Sequence, residues 1–491
     1  MYDKITSIIT KTIALISPST ARDYVKNHQI LRAYEAAKTS GINRKFSARQ
    51  TSGAQEIQES WQTVTDRVRQ LVRDNSHVAG MVRRFTAGLI GEGSWPRPKI
   101  LKNKNSGNFD FNVKLNSEIL KRWEPWALSA CANGDSVYQL QRLCASTFFI
   151  DGGILVRRIV KKGKLLLEPI EIDRLDTNKD SDTTNVRIVG GKELDEYNKP
   201  VAYWIKSRFP SEKDVQSVRV PASEIIDLYD RDRASSVGGI SRLVSCVLNF
   251  HNIGKFRSDT MSLARTALGF GIFVETEFPD DFFGTTPEGT DEQGREYDYV
   301  TPGGVHYMRP GEKITSVKPE SPTAQYEPFL RAELRSASVG AGMSYEAVSN
   351  DGSQTNFSGT RQMLLFERAM MRYTFAIFEE KLYSQIYRWF IEFEQSFGKP
   401  PLVMPGYDEN PHHFLRCSWS RPKTEWVDPL KDAKAAKEEI EMGVNTLTEF
   451  CETQGRDIEE VVQTRKYENE LFAAAGLKPE LTKNGEEENG R

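Results

Sequence analysis

The chain has 491 residues, of which 38% are hydrophobic and 27% charged, and this length allows about two or three domains with a sizeable core. No apolar run approaches the roughly 18 residues that span a bilayer, so the composition predicts no membrane partner. The formal net charge is −2, so any nucleic-acid role has to come from local patches.

The N-terminal 56 residues are polar and irregular and are predicted to form an arm. The apolar stretch that follows Lys4 is interrupted by Lys11 and has no clean small-residue cleavage site, which favours an arm over a signal peptide. The five cysteines are scattered without a Cys-x-x-Cys pair, which is typical of a reducing compartment and indicates neither a disulfide framework nor a zinc site.

Residues 57–238 are predicted to form an α+β domain. Apolar residues recur at helical spacing from Ile57 to Leu89, with a break at Asn75, and a helix over Phe111–Cys131 places Trp123 in the core. Asp151-Gly152-Gly153 is expected to form a hairpin turn inside the first of several short β-rich runs. These runs are Ser146–Val160, Leu165–Ile172, Val186–Gly190, Val201–Ser207 and Glu224–Tyr229.

A second long helix is predicted over residues 239–268, and residues 269–321 then interrupt the helical pattern with many Gly and Pro residues. Between Glu275 and Asp298 there are nine acidic residues and one basic residue. This insertion is too long for a turn. Its charge fits a solvated acidic surface, a docking face for a basic partner or, through the Asp280-Asp281 pair, a metal site.

Residues 322–348 carry the next helix, predicted over Pro322–Val339, and a short turn that contains Met343–Glu346. The segment 349–359 (SNDGSQTNFSG) is a polar loop, because Asn, Asp, Ser and Gly favour turns. Residues 360–400 carry a long helix that is predicted to run to about Phe397. Aromatic residues surround it on more than one side, which indicates deep burial or contact with neighbouring subunits. Residues 401–477 are largely helical, with a Thr446 cap, and residues 478–491 are predicted to be disordered.

The sequence offers little chemistry. There is no GxxxxGK[ST] phosphate loop and no GxSxG nucleophile motif, and the histidines have no convincing ligand spacing. The adjacent His412 and His413 are interpreted as surface or packing residues. We therefore predict no enzyme activity, no catalytic residue, no bound metal and no cofactor.

Five stretches in order resemble the lambda-like portal proteins of tailed bacteriophages. They are Arg69–Asn75, Arg233–Ile240, Met308–Glu312, Ala341–Glu346 with Phe357–Arg361, and Asp428–Pro429 with Gly443–Glu449. The resemblance covers about residues 57–475. One departure is Ala234–Val237, where the family prefers Gly and Gln, and it affects a loop detail.

This resemblance implies an α+β, mainly helical portal fold, assembled as a ring, usually a dodecamer, around a central channel. The parts then take the family's names. They are an N-terminal arm (1–56), a wing (57–238), a first stem helix (239–268), a clip (269–321), a second stem helix (322–348), a tunnel loop (349–359), a long helix supporting wing and crown (360–400), a C-terminal wing and crown region (401–477) and a tail (478–491).

The resemblance also implies functional residues. The DNA-facing tunnel loop would present Asn350, Asp351, Gly352, Ser353, Gln354, Thr355 and Asn356. The stem cations that would line the channel are Lys255, Arg257, Arg331 and Arg335. For Arg331 and Arg335 the alternative is pairing with carboxylates of neighbouring subunits. The docking face of the clip would contain Asp280, Asp281, Glu288, Asp291 and Glu292.

The implied partners are further copies of the chain, double-stranded DNA, the terminase large subunit, a head–tail connector, and the major capsid and scaffold proteins. The implied location is the portal vertex of the virion, after assembly in the host cytoplasm. The alternatives are a phage DNA-processing enzyme, such as a terminase or nuclease subunit, and a non-enzymatic scaffold or adaptor. A terminase needs an ATP loop, which the sequence lacks.

Overall fold

The computed structural model describes residues 17, 20, 50–102, 111–182, 187–212, 215–268, 272–275, 289–290, 296–297, 313–316, 323–353, 356–423 and 428–475. Contacts divide the chain into two units, Met1–Glu56 and Ile57–Arg491. Almost all described residues belong to the second unit, which combines many helices with small antiparallel sheets.

The described helices are α1 (Gly53–Asp74), α2 (Ser76–Ile90), α3 (Val113–Ala127), α4 (Val137–Asp151), α5 (Val247–Leu268), α6 (Thr323–Ala341), α7 (Tyr345–Ser349), α8 (Phe357–Phe378), α9 (Ser384–Phe397), α10 (Pro411–Phe414), α11 (Pro429–Glu441), α12 (Leu447–Thr453) and α13 (Ile458–Ala474). A π-helical segment, Glu379–Tyr383, joins α8 to α9 without a break. Asn75 caps α2, which confirms the break predicted there: its side chain accepts hydrogen bonds from the amides of His77 and Val78.

The described strands form five antiparallel sheets. The strands are β1 (Pro96–Pro98), β2 (Gly153–Lys161), β3 (Lys164–Ile170), β4 (Ser181–Asp182), β5 (Arg187–Val189), β6 (Lys192–Leu194), β7 (Pro200–Lys206), β8 (Ser217–Pro221), β9 (Ile225–Tyr229), β10 (Ile272–Glu275), β11 (Gly289–Thr290), β12 (Glu296–Tyr297), β13 (Lys313–Ser316) and β14 (Cys417–Trp419). Strand β2 pairs with β3 on one side and β9 on the other, and β4 to β8 form a meander. The remaining pairs are β1 with β14, β10 with β13 and β11 with β12.

The main core brings the C-terminal half of the long helix against α3 and β14. Trp123 is completely buried, as predicted, and its ring lies 5.0 Å from Phe390 and 5.9 Å from Trp419, in both cases edge to face. The ring of Tyr383 also lies against Trp419, with the ring centres 5.0 Å apart. Aromatic pairs in such geometry stabilise a core beyond the area that they bury.

A buried charge network attaches α1 to the end of α4. The guanidinium of Arg69 donates to both carboxylate oxygens of Asp151, at 2.9 and 2.8 Å, and to those of Asp173, at 3.2 and 2.7 Å. Burial opposes the charge on Arg69, but these hydrogen bonds outweigh it and raise the pKa of Arg69. Bidentate pairs of this kind give orientation as well as energy.

The predicted hairpin turn at Asp151–Gly153 is wrong. Residues Ser146–Asp151 are the last turns of helix α4, and Gly152, with φ of +84°, ends that helix before β2 begins. The segment is rich in Thr, Phe and Ile, which favour strands, but a helix allows both Phe148 and Phe149 to be almost completely buried. Tertiary burial therefore overrides local propensity here.

The predicted helix over 239–268 begins only at Val247. Residues before it are used to hold the end of α4: the amide of Arg242 and the hydroxyl of Ser241 both donate to the carbonyl of Phe149. A Cβ atom on Gly239 would lie 2.0 Å from the carbonyl oxygen of Gly152, so the two chain segments are in direct backbone contact. A helix starting at Gly239 would lose this packing.

The helix predicted over Pro322–Val339 is confirmed as α6, which ends at Ala341, where Gly342 takes a φ of +68°. The segment after it contains the short helix α7. The loop expected over 349–359 ends at Asn356, because that residue caps α8 at Phe357. The long helix therefore starts earlier than residue 360, and its end at Phe397 confirms the predicted end. Thr446 caps α12 in a reciprocal capping box with Glu449, which confirms the predicted cap.

We predict that Gly152→Ala destabilises the protein by about 3 kcal/mol, the combined cost of left-handed backbone strain and overpacking. The added Cβ would lie 2.2 Å from the carbonyl carbon of Ile240. The matched control is Gly163→Ala, because Gly163 also has a positive φ, +69°, but its Cβ would meet nothing within 4 Å. It should cost about 1 kcal/mol. Urea unfolding followed by tryptophan fluorescence measures both, and equal losses would contradict the close contact.

Candidate functional site

The segment between α6 and α8 is held to α8 by Ser344. Its hydroxyl accepts a hydrogen bond from the amide of Ala347, at 3.1 Å, and so caps α7. The same hydroxyl and the backbone amide of Ser344 both donate to Oε1 of Glu367 on α8, at 2.5 and 2.9 Å. The entry to the loop is therefore fixed relative to the long helix.

Two residues of helix α2 contact the end of α7 and the start of the loop. Asn350 ends α7 in the left-handed conformation, with φ of +57°, which Asn tolerates better than most residues. Its side-chain oxygen accepts a hydrogen bond from Nη2 of Arg84. Nδ1 of His77 lies 3.1 Å from the carbonyl oxygen of Val348. These contacts join parts of the chain more than 260 residues apart in sequence.

Asp351 is the charged group of the loop. Ser353, through its hydroxyl and its backbone amide, holds the pKa of Asp351 below its ordinary value, and Arg331 and Tyr345 contribute. The amide of Ser353 donates to Oδ1 at 3.0 Å, and the Tyr345 hydroxyl donates to Oδ2 at 3.4 Å. The carboxylate of Asp351 therefore links the start of the loop to Tyr345 of α7.

The remaining described loop residues present short polar groups. Gly352, Ser353 and Asn356 are exposed, and Asn356 also caps α8 by accepting a hydrogen bond from the amide of Gly359 at 2.7 Å. Gln354 and Thr355 lie outside the described residues.

The predicted stem cations have different surroundings. Nη2 of Arg331 lies 2.7 Å from Glu327 on its own helix and 3.8 Å from Asp351, so its charge is balanced within the chain. The guanidinium of Arg335 lies over the ring of Tyr345, 5.4 Å from its centre. Lys255 and Arg257 are exposed on α5.

The predicted docking face of the acidic insertion, Asp280, Asp281, Glu288, Asp291 and Glu292, lies outside the described residues. Strands β10 and β13 pair in register from Ile272 with Ser316 to Glu275 with Lys313, so the described ends of the insertion lie side by side.

Other candidate chemistry finds little support in the described part of the chain. There, no three His, Cys, Asp or Glu side chains form a group that could hold a metal ion. His413 is buried, with Nε2 3.0 Å from the carbonyl oxygen of Leu101, which confirms the packing interpretation. None of the described helices is both long and apolar enough to cross a membrane.

Sequence reasoning missed Arg84, His77 and Glu367 as residues of this site. Arg83-Arg84 is a basic pair on an amphipathic helix, which was the available signal, but helical spacing alone does not say which of the two faces the loop.

Comparison with known proteins gives consistent matches. The family model "Phage portal protein, lambda family" matches residues 39–374. The chain is 23% identical over 474 residues to the probable portal protein of Halomonas phage phiHAP-1, covering 92% of this chain and 89% of that protein. It is 24% identical over 180 residues to portal protein B of Escherichia phage lambda, covering 36% of this chain and 33% of that protein.

Solved structures are more distant. A chain in the virion of a native gene transfer agent particle has a TM-score of 0.48 at 11% identity, covering 83% of this chain and 99% of that chain. A portal protein of the HK97 family from Corynebacterium diphtheriae has a TM-score of 0.31 at 11% identity, covering 62% of this chain and 85% of that chain. The sequence matches therefore carry the family assignment.

We predict that Asp351→Asn loosens the loop, because the amide that replaces the carboxylate binds Ser353 and Arg331 more weakly. Hydrogen exchange of the peptide that covers Val348–Asn356 should become faster. The control is Glu327→Gln, which removes the other partner of Arg331 and leaves the loop contacts in place. Unchanged exchange in Asp351→Asn, or equal acceleration in both variants, would contradict this role.

The pH dependence has a defined sign. Because the pKa of Asp351 is lowered in the folded chain, its stabilising contribution is present above the unfolded-state pKa and disappears as pH falls through the folded-state value. Exchange in this peptide, corrected for intrinsic rates, should therefore rise on acidification in the native protein and less in Asp351→Asn.

Proposed function

Because the chain belongs to the lambda family of phage portal proteins, we propose that its copies form a ring around a channel through which double-stranded DNA passes into and out of the capsid. Portal proteins are a structural class without enzyme activity, so the alternative of a DNA-processing enzyme is not retained. The ring, the channel and the DNA path constitute the proposal.

The observation that best supports self-association is an apolar stripe on the first half of α8. Met363, Phe366 and Met370 are 45%, 62% and 40% exposed, and their spacing of three and four residues places them on one helix face. By contrast, Phe375 and Phe378, farther along the same helix, are buried in the core of the chain. Exposed apolar stripes of this kind mark protein–protein interfaces, and a head-to-tail contact between identical chains generates a ring when its rotation closes.

The loop supports passage of DNA without capture. Each neutralised phosphate adds affinity and salt dependence, so a conduit has to limit such contacts. The exposed groups of the described loop are Gly352, Ser353 and Asn356, none of which is charged, while Asp351 is occupied by Ser353 and Tyr345. Such a surface favours transient contact with a moving duplex.

Within this proposal the described elements take the family's parts. Residues 57–238 form the wing, α5 and α6 the stem, residues 269–321 the clip, residues 349–359 the tunnel loop, and the C-terminal helices the crown. The ring sits at one capsid vertex of the virion after assembly in the host cytoplasm. The terminase large subunit, the head–tail connector, and capsid and scaffold proteins are its partners.

We predict that Phe366→Ser prevents ring assembly and leaves the subunit folded. The side chain is exposed in the single chain, so the fold does not depend on it, but the proposed contact between subunits loses its apolar centre. Electron microscopy and sedimentation measure assembly, and circular dichroism measures the fold. The control is Phe397→Ser at the far end of α9, which is similarly exposed, at 55%, but outside the stripe. Normal rings with Phe366→Ser, or equal loss in both variants, would count against the stripe as the contact.

We predict that removing Gln354 and Thr355 leaves ring assembly intact and impairs packaging or retention of DNA. Asn356 is kept because it caps α8, so the long helix retains its start. A phage that carries the altered gene is examined for rings and for filled heads. Filled heads in normal yield would contradict a role in DNA transit, and loss of rings would show that the loop serves assembly.

A further inference from the structure

We infer that Arg84 on α2 and Arg335 on α6 are the side chains of this chain that contact the phosphate backbone of the duplex. The inference rests on the proposed function, in which the loop faces DNA. It differs from the expectation drawn from sequence, which named the stem cations Lys255, Arg257, Arg331 and Arg335 and did not include Arg84.

The first argument is the charge of each arginine's partner. Arg331 is neutralised by Glu327 and approached by Asp351. Arg84 binds the neutral amide of Asn350, and Arg335 lies over the uncharged ring of Tyr345. Among the described residues, neither Arg84 nor Arg335 forms an ion pair. Both therefore place beside the loop a positive charge that no carboxylate of the described residues compensates.

The second argument is that both guanidiniums are exposed and yet held in place. A guanidinium has five N–H donors, and the hydrogen bond of Arg84 to Asn350 uses one side of it. A guanidinium stacked on an aromatic ring keeps its N–H edge available for bidentate contact with an anion. Because both side chains are already positioned, binding a phosphate costs less side-chain entropy than it would for a freely moving arginine.

The third argument is placement. The partner of Arg84, Asn350, is the first residue of the loop after α7, and the partner of Arg335, Tyr345, is the first residue of α7. Arg83, the neighbour of Arg84, instead lines a groove against α4, together with Tyr138 and Arg142. One arginine of the basic pair thus serves the loop and the other does not.

The ligand is a phosphate backbone and not a base sequence. Arginines held against an amide and a ring present N–H edges to phosphate oxygens, and contacts to phosphate carry no sequence information. Two charges per subunit give a weak attraction that a moving duplex can exchange from one copy to the next. This reconciles the near-neutral chain with binding to a polyanion.

The test is the salt dependence of binding to a short DNA duplex, measured by fluorescence anisotropy with the assembled full-length protein. In Arg84→Gln and in Arg335→Gln the slope of log K against log salt should fall in magnitude by about 0.9 for each phosphate that the variant no longer neutralises. Arg331→Gln and Arg83→Gln are the matched controls and should keep the wild-type slope. Wild-type slopes in both test variants, or a fall confined to Arg331→Gln, would overturn the inference.

A second variant separates charge from loop position. Asn350→Gly keeps the left-handed backbone and removes the partner of Arg84 without removing its charge, so the wild-type slope should be retained. A slope that falls as far as in Arg84→Gln would show that the loop contact matters and the charge does not. Electron microscopy of the same samples separates failure of the proposed function from failure of this inference. A wild-type protein that forms no rings and binds no DNA contradicts both. Intact rings with the wild-type slope in Arg84→Gln and Arg335→Gln contradict only the inference.

Discussion

The interaction on which the structure depends is the anchoring of one half of the long helix in an aromatic core. Tyr383, Tyr387, Trp389 and Phe390 are almost fully buried. Tyr387 and Phe390 pack against Trp123 of α3, and Tyr383 packs against Trp419 of β14. Because a helix is a stiff rod, burial of its C-terminal half also fixes the direction of its N-terminal half. The N-terminal half, helix α8, carries both the apolar stripe and Glu367, which binds Ser344 at the start of the loop segment.

Anchoring of the long helix also fixes the two ends of the loop. Ser344 is bound to α8, Asn356 caps α8, and Arg84 and His77 of α2 contact the residues between them. The loop itself contributes backbone groups and neutral side chains to these contacts, whereas Glu367 and Arg84 contribute charged groups from the neighbouring helices. The two ends of the loop therefore have a defined geometry.

The sequence predicted helix caps and core residues correctly where the outcome depends on residues close together in the chain. The cap at Asn75, the capping box at Thr446 and the burial of Trp123 all follow from side chains that act within a few residues or from size and polarity. The predictions for Ser146–Val160 and for the start of α5 failed because packing decided them. In both places the backbone of Gly152 touches that of Gly239 and Ile240, nearly ninety residues away.

The sequence by itself determined the class of the protein, the polar composition of the loop and the aromatic character of the helix that follows it. These are properties of residue type and order, which the family match confirmed at the level of class. Only the tertiary structure decided which half of the helix is buried, that Arg331 is neutralised and that Arg84 joins the site. Burial and charge pairing are relations between distant segments, and no local pattern encodes which segments will meet.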